Sequence, residues 1–342
     1  MKRPTIFDLA AASGVSVATV DRVLNGRLPV REETARKVFE ASEKIGFHGT
    51  NIIRKRMMGD VPAYNFGIIL RKERQTFYKD FAAELQVAAS SIRDRHINLK
   101  IEFAKSEEPG ELAELILGMT GKVHAIAATG PDHHDVTKAV ATMKAKGIPT
   151  FSLLSDFAQG IREAYLGTNN MKVGRTAAWM ISKMSPTPGK VLLFLGGHRF
   201  HGHSLRETGF RAFMREYAPN FEVLDALVNL ETRRLTYGLM METLSRHPDL
   251  VGLYCIGGGM EGAIEALIQQ NRSETIACLV NELTPESRQA LLERQIAGIF
   301  QTPLRELCAD LVMTMIHTKE NGMAESPGQR FLPAHLLVPE SL

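Results

Sequence analysis

The chain has 342 residues, 44% of them hydrophobic and 23% charged, with a formal net charge of +3. That length exceeds one ordinary hydrophobic core and predicts two or three domains in a globular protein. No apolar run reaches the length of a membrane span, and no apolar signal-peptide segment follows the N-terminus, so membrane and secreted classes are excluded and we expect a cytoplasmic protein. The cysteines, Cys255, Cys278 and Cys308, are scattered and odd in number, which favours reduced core thiols.

The net positive charge is concentrated near the N-terminus. Residues 1–60 contain 11 Lys and Arg against 7 Asp and Glu, whereas the remaining 282 residues contain 30 against 31. Phosphate binding needs such a basic segment, because neutralised phosphates release their counterions. The alternative is an ordinary solvated basic surface, since such surfaces are common.

The first predicted helix begins after Thr5, which can cap it, and Asp8 lies three residues on, where a carboxylate suits a helix N-terminus. Apolar side chains then recur at i, i+3 and i+4, namely Ile6, Leu9 and Ala10. Gly14 supplies the turn that ends this helix.

A second short helix follows the turn, with Ser16 as its cap and Asn25-Gly26 as its end. One face is apolar, formed by Val20, Val23 and Leu24; the opposite face shows Val17, Ala18, Asp21 and Arg22. Two helices of this length joined by a glycine turn predict a helix-turn-helix, whose second helix fits a DNA major groove. The alternative is a helical hairpin that only covers another domain.

A third helix is predicted from about Glu32 to Ile45, with Thr34 and Val38 at the helical spacing that packs on the first two helices. The connection after Phe47 contains the basic run Arg54-Lys55-Arg56, followed by Met57, a residue type that intercalates in minor grooves. A flexible basic linker is the alternative for this segment.

From Asn65 onward, short β-rich runs alternate with helical stretches. The runs are NFGIILR, NLKIEF, VHAIAAT, IPTFSLL, KVLLFLG, FEVLDAL, LVGLYCI, TIACLVN and IAGIFQT. This order predicts parallel sheets with helices on both faces, and the right-handed crossover rule favours two doubly wound α/β lobes.

The N-terminal residues also carry a family signature. The stretch TIFDLAAASGVSVATVDRVLNG, followed by Val30, Glu33, Thr34, Val38, Ala41 and Ile45-Gly46-Phe47, resembles the DNA-binding headpiece of LacI/GalR transcriptional regulators. The resemblance continues, more loosely, through residues 62–342, which resemble the periplasmic sugar-binding-protein fold of type I. It implies an all-α headpiece over residues 1–48, a hinge over 49–62 and a two-lobed core over 63–342. We expect the first lobe at about 63–165 and 291–320, and the second at about 166–290 and 321–342.

The resemblance also implies the DNA contacts. It places Val17, Ala18 and Arg22 at base edges and Ser16 and Thr19 near phosphates. The full set of predicted DNA-binding residues is Thr5, Ser16, Val17, Ala18, Thr19, Asp21, Arg22, Asn25, Arg31, Thr34, Arg54, Lys55, Arg56 and Met57.

Four positions depart from the family pattern. Arg31 and Asp21 stand where a Ser is common, and Gly49 replaces the usual Pro before the hinge. An ungapped count places Arg56 where the leucine that wedges into the minor groove normally lies, and Met57 or Ile53 could serve as the wedge if the register shifts by a residue or so. We expect Asp21 either to pair with Arg22 or to accept from a cytosine amino group, which would alter the operator preference.

In open α/β sheets ligands bind at the carboxyl ends of the strands, which face each other across a cleft in a two-lobed protein. The residues that we predict to bind an effector there are Gln75, Phe77, Tyr78, Asp132, Asp156, Arg206, Gly259, Glu282 and Gln301. Asp132, Arg206 and Gln301 owe their roles to the resemblance. Carboxylates, amides and an Arg suit a polyhydroxylated ligand, because each hydroxyl both donates and accepts. A capping or solvated side chain is the alternative for each.

The glycine run Gly257-Gly258-Gly259 stands where related sugar binders often have Asn or Asp, and it permits close approach to the backbone. This argues against a simple ribose-like specificity. The histidines His198, His201 and His203 lie close together in sequence, but their spacing fits no standard metal motif. No nucleophile elbow, P-loop or paired nucleophile and base is present.

These patterns and the resemblance predict a sequence-specific DNA-binding regulator that binds a two-fold symmetric operator as a homodimer, and the resemblance alone implies that it is a repressor. Its effector is a sugar or polyol bound between the lobes, and no cofactor, metal or membrane partner is expected. The alternatives are a two-lobed enzyme or metal-binding protein that uses the His198, His201 and His203 loop, and a solute-binding protein that does not use DNA.

Overall fold

The computed structural model describes residues 4–26, 30–57 and 62–342, and the side chains of residues 54–57 lie outside the described part. The chain forms two compact units, one of Met1–Ala63 with Ile92–His96 and one of Tyr64–Ser91 with Ile97–Leu342. Within the described ranges, no helix is long and apolar enough to cross a membrane.

The helices are α1 (Ile6–Ser13), α2 (Val17–Asn25), α3 (Glu32–Ile45), α4 (Thr50–Met57), α5 (Thr76–Ser91), α6 (Pro109–Gly118), α7 (His134–Ala145), α8 (Asn170–Met184), α9 (His201–Tyr217), α10 (Arg233–Arg246), α11 (Met260–Gln269), α12 (Pro285–Leu292) and α13 (Leu304–Asn321). The strands are β1 (Ala63–Arg71), β2 (His96–Ala104), β3 (Ala125–Ala128), β4 (Thr150–Leu153), β5 (Ala164–Thr168), β6 (Lys190–Leu195), β7 (Glu222–Val223), β8 (Leu227–Val228), β9 (Leu250–Cys255), β10 (Ala277–Asn281), β11 (Gly298–Gln301), β12 (Gly328–Leu332) and β13 (His335–Leu337).

Short-range capping fixes the two N-terminal helices. The Thr5 backbone N–H donates to Asp8 Oδ2 at 2.7 Å, while the Asp8 N–H donates back to Thr5 Oγ1 at 3.4 Å. Gly14 ends α1 in the left-handed region with φ 68°, and Ser16 Oγ accepts from the Thr19 N–H at 3.1 Å to start α2. Caps of this kind contribute about 1 kcal/mol each, so the turn between α1 and α2 is specified locally.

The headpiece helices share one small apolar core. Its fully or nearly fully buried members are Leu9, Ala10, Val20, Val23, Val38, Ala41, Phe47 and Ile53. Ile53 comes from α4, so half of the segment that we predicted to be a hinge folds as a helix against the headpiece. Because the Ile53 side chain is buried there, it is not available as a minor-groove wedge in this conformation.

The core contains two open α/β sheets, as predicted. The first has six strands in the order β12-β5-β4-β3-β1-β2, and its central pairs are parallel. The second has seven strands in the order β13-β11-β10-β9-β6-β7, with β8 beside β6 and only β13 antiparallel among its recorded pairings. Buried side chains line both faces of the second sheet, while α6 and α7 cover one face of the first.

The late part of the chain does not follow the predicted lobe boundaries. We expected residues 291–320 in the first lobe, but β11 pairs with β10 in the second sheet and only α13 packs on α5 of the first lobe. We expected 321–342 in the second lobe, but β12 pairs with β5 in the first sheet. The apolar Ile299 and Phe300 of β11 fill the second lobe's core, which explains its place there.

Two glycines allow α8 and α9 to pack at very short range. A Cβ added at Gly174 would lie 1.9 Å from the Arg206 carbonyl oxygen, and one added at Gly209 would lie 2.2 Å from the Met171 carbonyl oxygen. Both obstructions are backbone atoms, which cannot rotate away as a side chain can. This close approach therefore fixes the position of α9, which carries Arg206, relative to α8.

Replacing Gly174 by alanine is expected to destabilise the core by about 3 kcal/mol or more, because the methyl group must push two helix backbones apart. The midpoint of thermal unfolding, followed by circular dichroism, measures the effect. Gly238→Ala in α10 is the matched control: nothing lies within 4 Å of the added methyl group. That variant should gain up to about 1 kcal/mol from helix propensity. Equal midpoints for the two variants would contradict the packing argument.

Candidate DNA-binding headpiece and effector cleft

The exposed face of α2 carries the side chains that we predicted to meet DNA. Ala18, Arg22 and Asn25 are exposed, whereas Val20 and Val23 point into the headpiece core. The Ser16 and Thr19 hydroxyls lie 2.8 Å apart at the start of the helix. A short helix with a polar, exposed outer face and a buried inner face has the form that enters a major groove.

Asp21 does not pair with Arg22, which was one of our two predictions for it, and its pairing with a cytosine amino group stays a prediction. Its Oδ1 accepts a hydrogen bond from Asn25 Nδ2 at 2.6 Å, one turn along α2. The i, i+4 spacing brings the two side chains together without any contribution from Arg22. Arg22 is therefore free of this carboxylate.

Two further predicted contacts, Thr5 and Arg31, are exposed at helix starts, and Thr34 is partly buried on α3. Arg31 makes no side-chain capping bond to α3. The side chains of Arg54, Lys55, Arg56 and Met57 lie outside the described residues.

In the core, a cavity of about 250 Å³ lies where strand ends of both sheets meet. The first lobe contributes Arg71, Arg74, Gln75, Phe77, Tyr78 and Thr129, and the second contributes Phe200, His203, Arg206, Gly259, Asn281, Glu282 and Thr302. The wall thus combines three aromatic rings with a larger number of polar and charged groups.

Arg206 is held rigidly at the cavity wall by two partners of the second lobe. Its Nε donates to Asn170 Oδ1 and its Nη1 to the Ile256 carbonyl oxygen, each at 2.7 Å. The side chain is 8% exposed. Two fixed hydrogen bonds orient the guanidinium in advance, so a ligand does not have to order it.

Glu282 lies deep in the same wall. The Thr302 N–H donates to Glu282 Oε2 at 2.5 Å, and the Thr302 hydroxyl donates to Glu282 Oε1 at 2.6 Å. Burial raises the pKa of Glu282 above its ordinary value, against the opposing effects of Arg206 and Thr302. A ligand that donates hydrogen bonds here would relieve part of that desolvation.

The aromatic side chains come from both lobes. The Phe77 and Tyr78 ring centroids lie 5.2 Å apart in an edge-on arrangement, and burial raises the pKa of Tyr78 to about 12. From the second lobe, the Phe200 ring lies under Arg71, with 4.1 Å between the guanidinium carbon and the ring centroid. Tyr78 and Phe200 are buried, so Phe77, which is half-buried, is the most accessible of the three rings.

Comparison with known proteins agrees with this geometry. The profile of the periplasmic binding protein domain matches residues 66–319, and that of bacterial regulatory proteins of the lacI family matches residues 5–49. The chain belongs to the LacI family of bacterial regulatory proteins.

Its relatives within that family are distant. The chain is 24% identical to the ribitol operon repressor of Klebsiella aerogenes over 58% of its length and 72% of the relative's. It is 24% identical to the regulator MalR of Streptomyces coelicolor over 77% and 68% of the two chains. It is 29% identical to catabolite control protein A of Priestia megaterium, but that alignment spans only 34% of either chain.

Solved structures show the fold of the core. GanP, a glucose-galactose binding protein from Geobacillus stearothermophilus, superposes with a TM-score of 0.74 at 17% identity over 82% of this chain and 99% of its own. A solute-binding protein from Burkholderia graminis in complex with D-arabinose gives a TM-score of 0.75 at 18% identity over 82% and 97%.

Six of the nine residues predicted to bind an effector in this LacI-family chain line the cavity: Gln75, Phe77, Tyr78, Arg206, Gly259 and Glu282. The other three do not. Asp132 Oδ1 accepts from the Ala158 N–H at 3.1 Å, and Gln301 is followed by Thr302, which faces the cavity in its place.

Asp156 serves the first lobe rather than the cavity. Its two oxygens are 2.6 Å and 2.7 Å from Nε and Nη2 of Arg162, and it also accepts from the Ser152 hydroxyl and the Phe157 N–H. Both partners of the ion pair are buried. Asp156 therefore does not take the cavity position that we predicted, because its carboxylate accepts four hydrogen bonds from within the first lobe.

Sequence reasoning missed a partly buried charge cluster at the cavity edge. Arg71 Nη2 lies 2.5 Å from Glu107 and 3.4 Å from Glu231, while Lys72 Nζ lies 3.0 Å and 2.8 Å from the same two carboxylates. Arg71, Lys72 and Glu107 belong to the first lobe, and Glu231 belongs to the second. The adjacent Arg71-Lys72 pair at the end of β1 was the available signal; nothing local marks Glu231 as its partner.

The clustered histidines have no metal-site geometry in the described part of the chain. His203 lies against Glu231, with 3.6 Å between its Nε2 and the carboxylate, and burial lowers the pKa of His203 to about 4 despite that neighbour. A neutral imidazole therefore lines the cavity at physiological pH. The group in the described residues with potential metal-ligand spacing is instead His133, His134 and Asp135 at the start of α7.

Proposed function

We propose that the chain is a sequence-specific DNA-binding transcriptional regulator, a repressor, whose operator affinity responds to a sugar or polyol bound between the lobes of its core. The observation that carries this proposal is the combination of a capped helix-turn-helix with a cavity to which both lobes contribute polar and aromatic residues. A ligand that contacts both lobes binds differently to open and closed arrangements, and this differential affinity can shift a population of states.

The hydrogen-bonding groups at the cavity favour hydroxyl-bearing ligands. Asn281 Oδ1 and His203 Nδ1 are buried without a partner in the described protein, and both residues line the cavity. Arg206 offers donors and Glu282 offers acceptors in the same wall. A polyol satisfies such a mixed set, since each hydroxyl both donates and accepts. The ribitol repressor and the two sugar-binding structures support the same class of ligand.

A screen with the purified protein tests whether the effector is a sugar or polyol. A sugar and polyol library is added to the full chain, and the midpoint of thermal unfolding is measured, because a ligand that binds only the folded state stabilises it. We expect one compound or a small related group to raise the midpoint and to change operator affinity in a gel-shift assay. An enzyme would instead convert the compound, which chromatography of the mixture detects, and the regulator proposal would then fail.

We also propose that the regulator binds its operator as a homodimer on a two-fold symmetric site. Selection of bound sequences from a random DNA library should yield an inverted repeat. Sedimentation of the complex should give two chains per DNA duplex. Asymmetric selected sites with one chain per duplex would contradict the dimer.

Arg22→Ala is expected to lose discrimination at one base pair of each half-site, worth about 1–3 kcal/mol. The reason is that Arg22 is exposed on α2 and is not engaged by Asp21, which pairs with Asn25. Binding to the selected operator and to single-base variants of it measures the effect. Arg36→Ala on α3 is the control, since Arg36 is exposed and paired with Glu40. Uniform weakening by Arg22→Ala on every sequence would assign the side chain to a phosphate instead.

A further inference from the structure

Glu231 is a buried carboxylate that reaches from the second lobe to two cations of the first. It follows β8 in a loop where Leu230 and Glu231 both have φ near 51°. Asn229 holds this loop: its Oδ1 accepts from the Glu231 N–H at 2.9 Å, and its Nδ2 donates to the Gly258 carbonyl oxygen at 2.9 Å. A non-glycine residue in the left-handed region is uncommon and needs such support.

The partners of this carboxylate form a complete anion site. Lys72 Nζ lies 2.8 Å and Arg71 Nη2 3.4 Å from Glu231 Oε2, and the Gly258 N–H donates to Oε1 at 3.4 Å. His203 Nε2 lies 3.6 Å from Oε1. Burial alone would raise the pKa of Glu231, but Arg71 and Lys72 hold it well below its usual range. The group is therefore an anion at every physiological pH.

Glycines leave the space that this side chain fills. A Cβ added at Gly196 would lie 2.5 Å from Glu231 Cγ, and one added at Gly257 would lie 2.9 Å from Glu231 Oε1. A Cβ added at Gly258 would lie 3.1 Å from Glu231 Cβ. The sequence run Gly257-Gly258-Gly259, which we had interpreted as room for a ligand, lines the cavity and also leaves room for Glu231 and for its neighbour His203.

The charges of the cluster cancel. Arg71 and Lys72 are positive, and Glu107 and Glu231 are negative. Since Arg71 and Glu231 are buried and both cations of the cluster are paired, the cluster itself offers a ligand anion no uncompensated positive charge. Without Glu231, the same edge would carry one net positive charge beside an empty, carboxylate-sized slot.

We propose that Glu231 determines the charge specificity of the cleft: it is a built-in carboxylate ligand that occupies the anion site of Arg71, Lys72 and Gly258 and so excludes anionic effectors in favour of uncharged polyols. The inference rests on the proposed function in that it concerns the effector class. Because the carboxylate comes from one lobe and the cations from the other, Glu231 also joins the lobes across the cleft.

The test removes the Glu231 carboxylate by mutation and supplies acetate from solution in its place. Glu231→Ala removes a side-chain fragment, CH₂–COO⁻, that acetate matches in size and charge, and acetamide has nearly the same shape without the charge. The midpoint of thermal unfolding is measured against sodium acetate and acetamide, with sodium chloride at matched ionic strength. We expect acetate to stabilise the variant with at least about tenfold greater potency than it stabilises the unchanged protein, and acetamide to have no such effect.

Two further variants test whether the acetate response comes from the site of Arg71 and Lys72. Glu231→Ala combined with Arg71→Met should lose the acetate response, because a cation of the site is gone. Glu216→Ala, which removes an exposed partner of Arg175, should show no acetate response. An equal response to acetate and acetamide, or a response retained without Arg71, overturns the inference. If Glu231→Ala folds only when acetate is present, the inference is supported.

A second measurement applies if Glu231→Ala folds in no buffer. Glu231→Gln keeps the volume and removes the charge, and D-gluconate and D-glucitol form an anionic and neutral pair of polyols. The ratio of their affinities should move towards gluconate by about tenfold or more relative to the unchanged protein, and an unchanged ratio overturns the inference. The acetate experiment does not require any polyol effector, so its outcome is separate from that of the proposed function.

Discussion

Replacing Arg162 by alanine is expected to lower the free energy of unfolding by about 3–5 kcal/mol, the largest loss that we expect from a single change in the core. The guanidinium is 3% exposed and pairs with both oxygens of Asp156. Its Nη1 also donates to the Gly328 carbonyl oxygen of β12 at 2.8 Å. The variant leaves a buried carboxylate without its cation and frees the edge strand of the first sheet.

Urea unfolding followed by circular dichroism measures this loss. Arg330→Ala is the matched control, because Arg330 pairs with Asp310 on the surface, where an ion pair contributes less than about 1 kcal/mol. The double variant Arg162→Met with Asp156→Asn should recover part of the stability, since it removes both charges. If Arg162→Ala and Arg330→Ala cost the same, the buried pair is not a stabilising element of the first lobe.

Arg206→Ala is expected to weaken effector binding by about 3 kcal/mol, or roughly 150-fold, because it removes charged hydrogen bonds from a site that is already ordered. The same change also loses the bonds to Asn170 and Ile256, so the protein itself becomes less stable. Affinity must therefore be measured by titration calorimetry well below the unfolding temperature.

Arg211→Ala on the same helix controls for a general effect on α9. Arg211 pairs with Glu207 and donates to the Val223 and Leu224 carbonyl oxygens, away from the residues that line the cavity. Its effector affinity should match that of the unchanged protein. An Arg206→Ala protein with full affinity would show that the ligand lies elsewhere in the cleft.

The parts of the structure that sequence predicted well depend on short-range rules. The caps at Thr5 and Ser16 involve partners three residues away, so their geometry is contained in the local sequence. The lining positions of Gln75, Phe77 and Glu282 follow from the rule that the ends of parallel strands meet at a cleft, whereas Arg206 lies within α9 and was predicted from the family resemblance.

The failures have long-range causes. Asp156 could not be assigned to Arg162 because only the folded loop turns their side chains together. Gln301 and Thr302 are neighbours at a strand end, and the local sequence does not say which of them faces the cavity. Glu231 meets Arg71 and Lys72 from more than 150 residues away, through a loop held by Asn229. The placement of β11 and β12 likewise depends on strand order, which no local pattern encodes.

The pairing of β12 with β5 has a consequence for the protein during its synthesis. Gly328 pairs with Ala164, and Leu332 pairs with Thr168, so the partner of β5 is translated roughly 160 residues later. At about 5–20 residues per second, a ribosome takes roughly 8–32 s to produce it. For that period the nascent first lobe presents β5 as an open sheet edge, the kind of surface that recruits foreign strands or a chaperone.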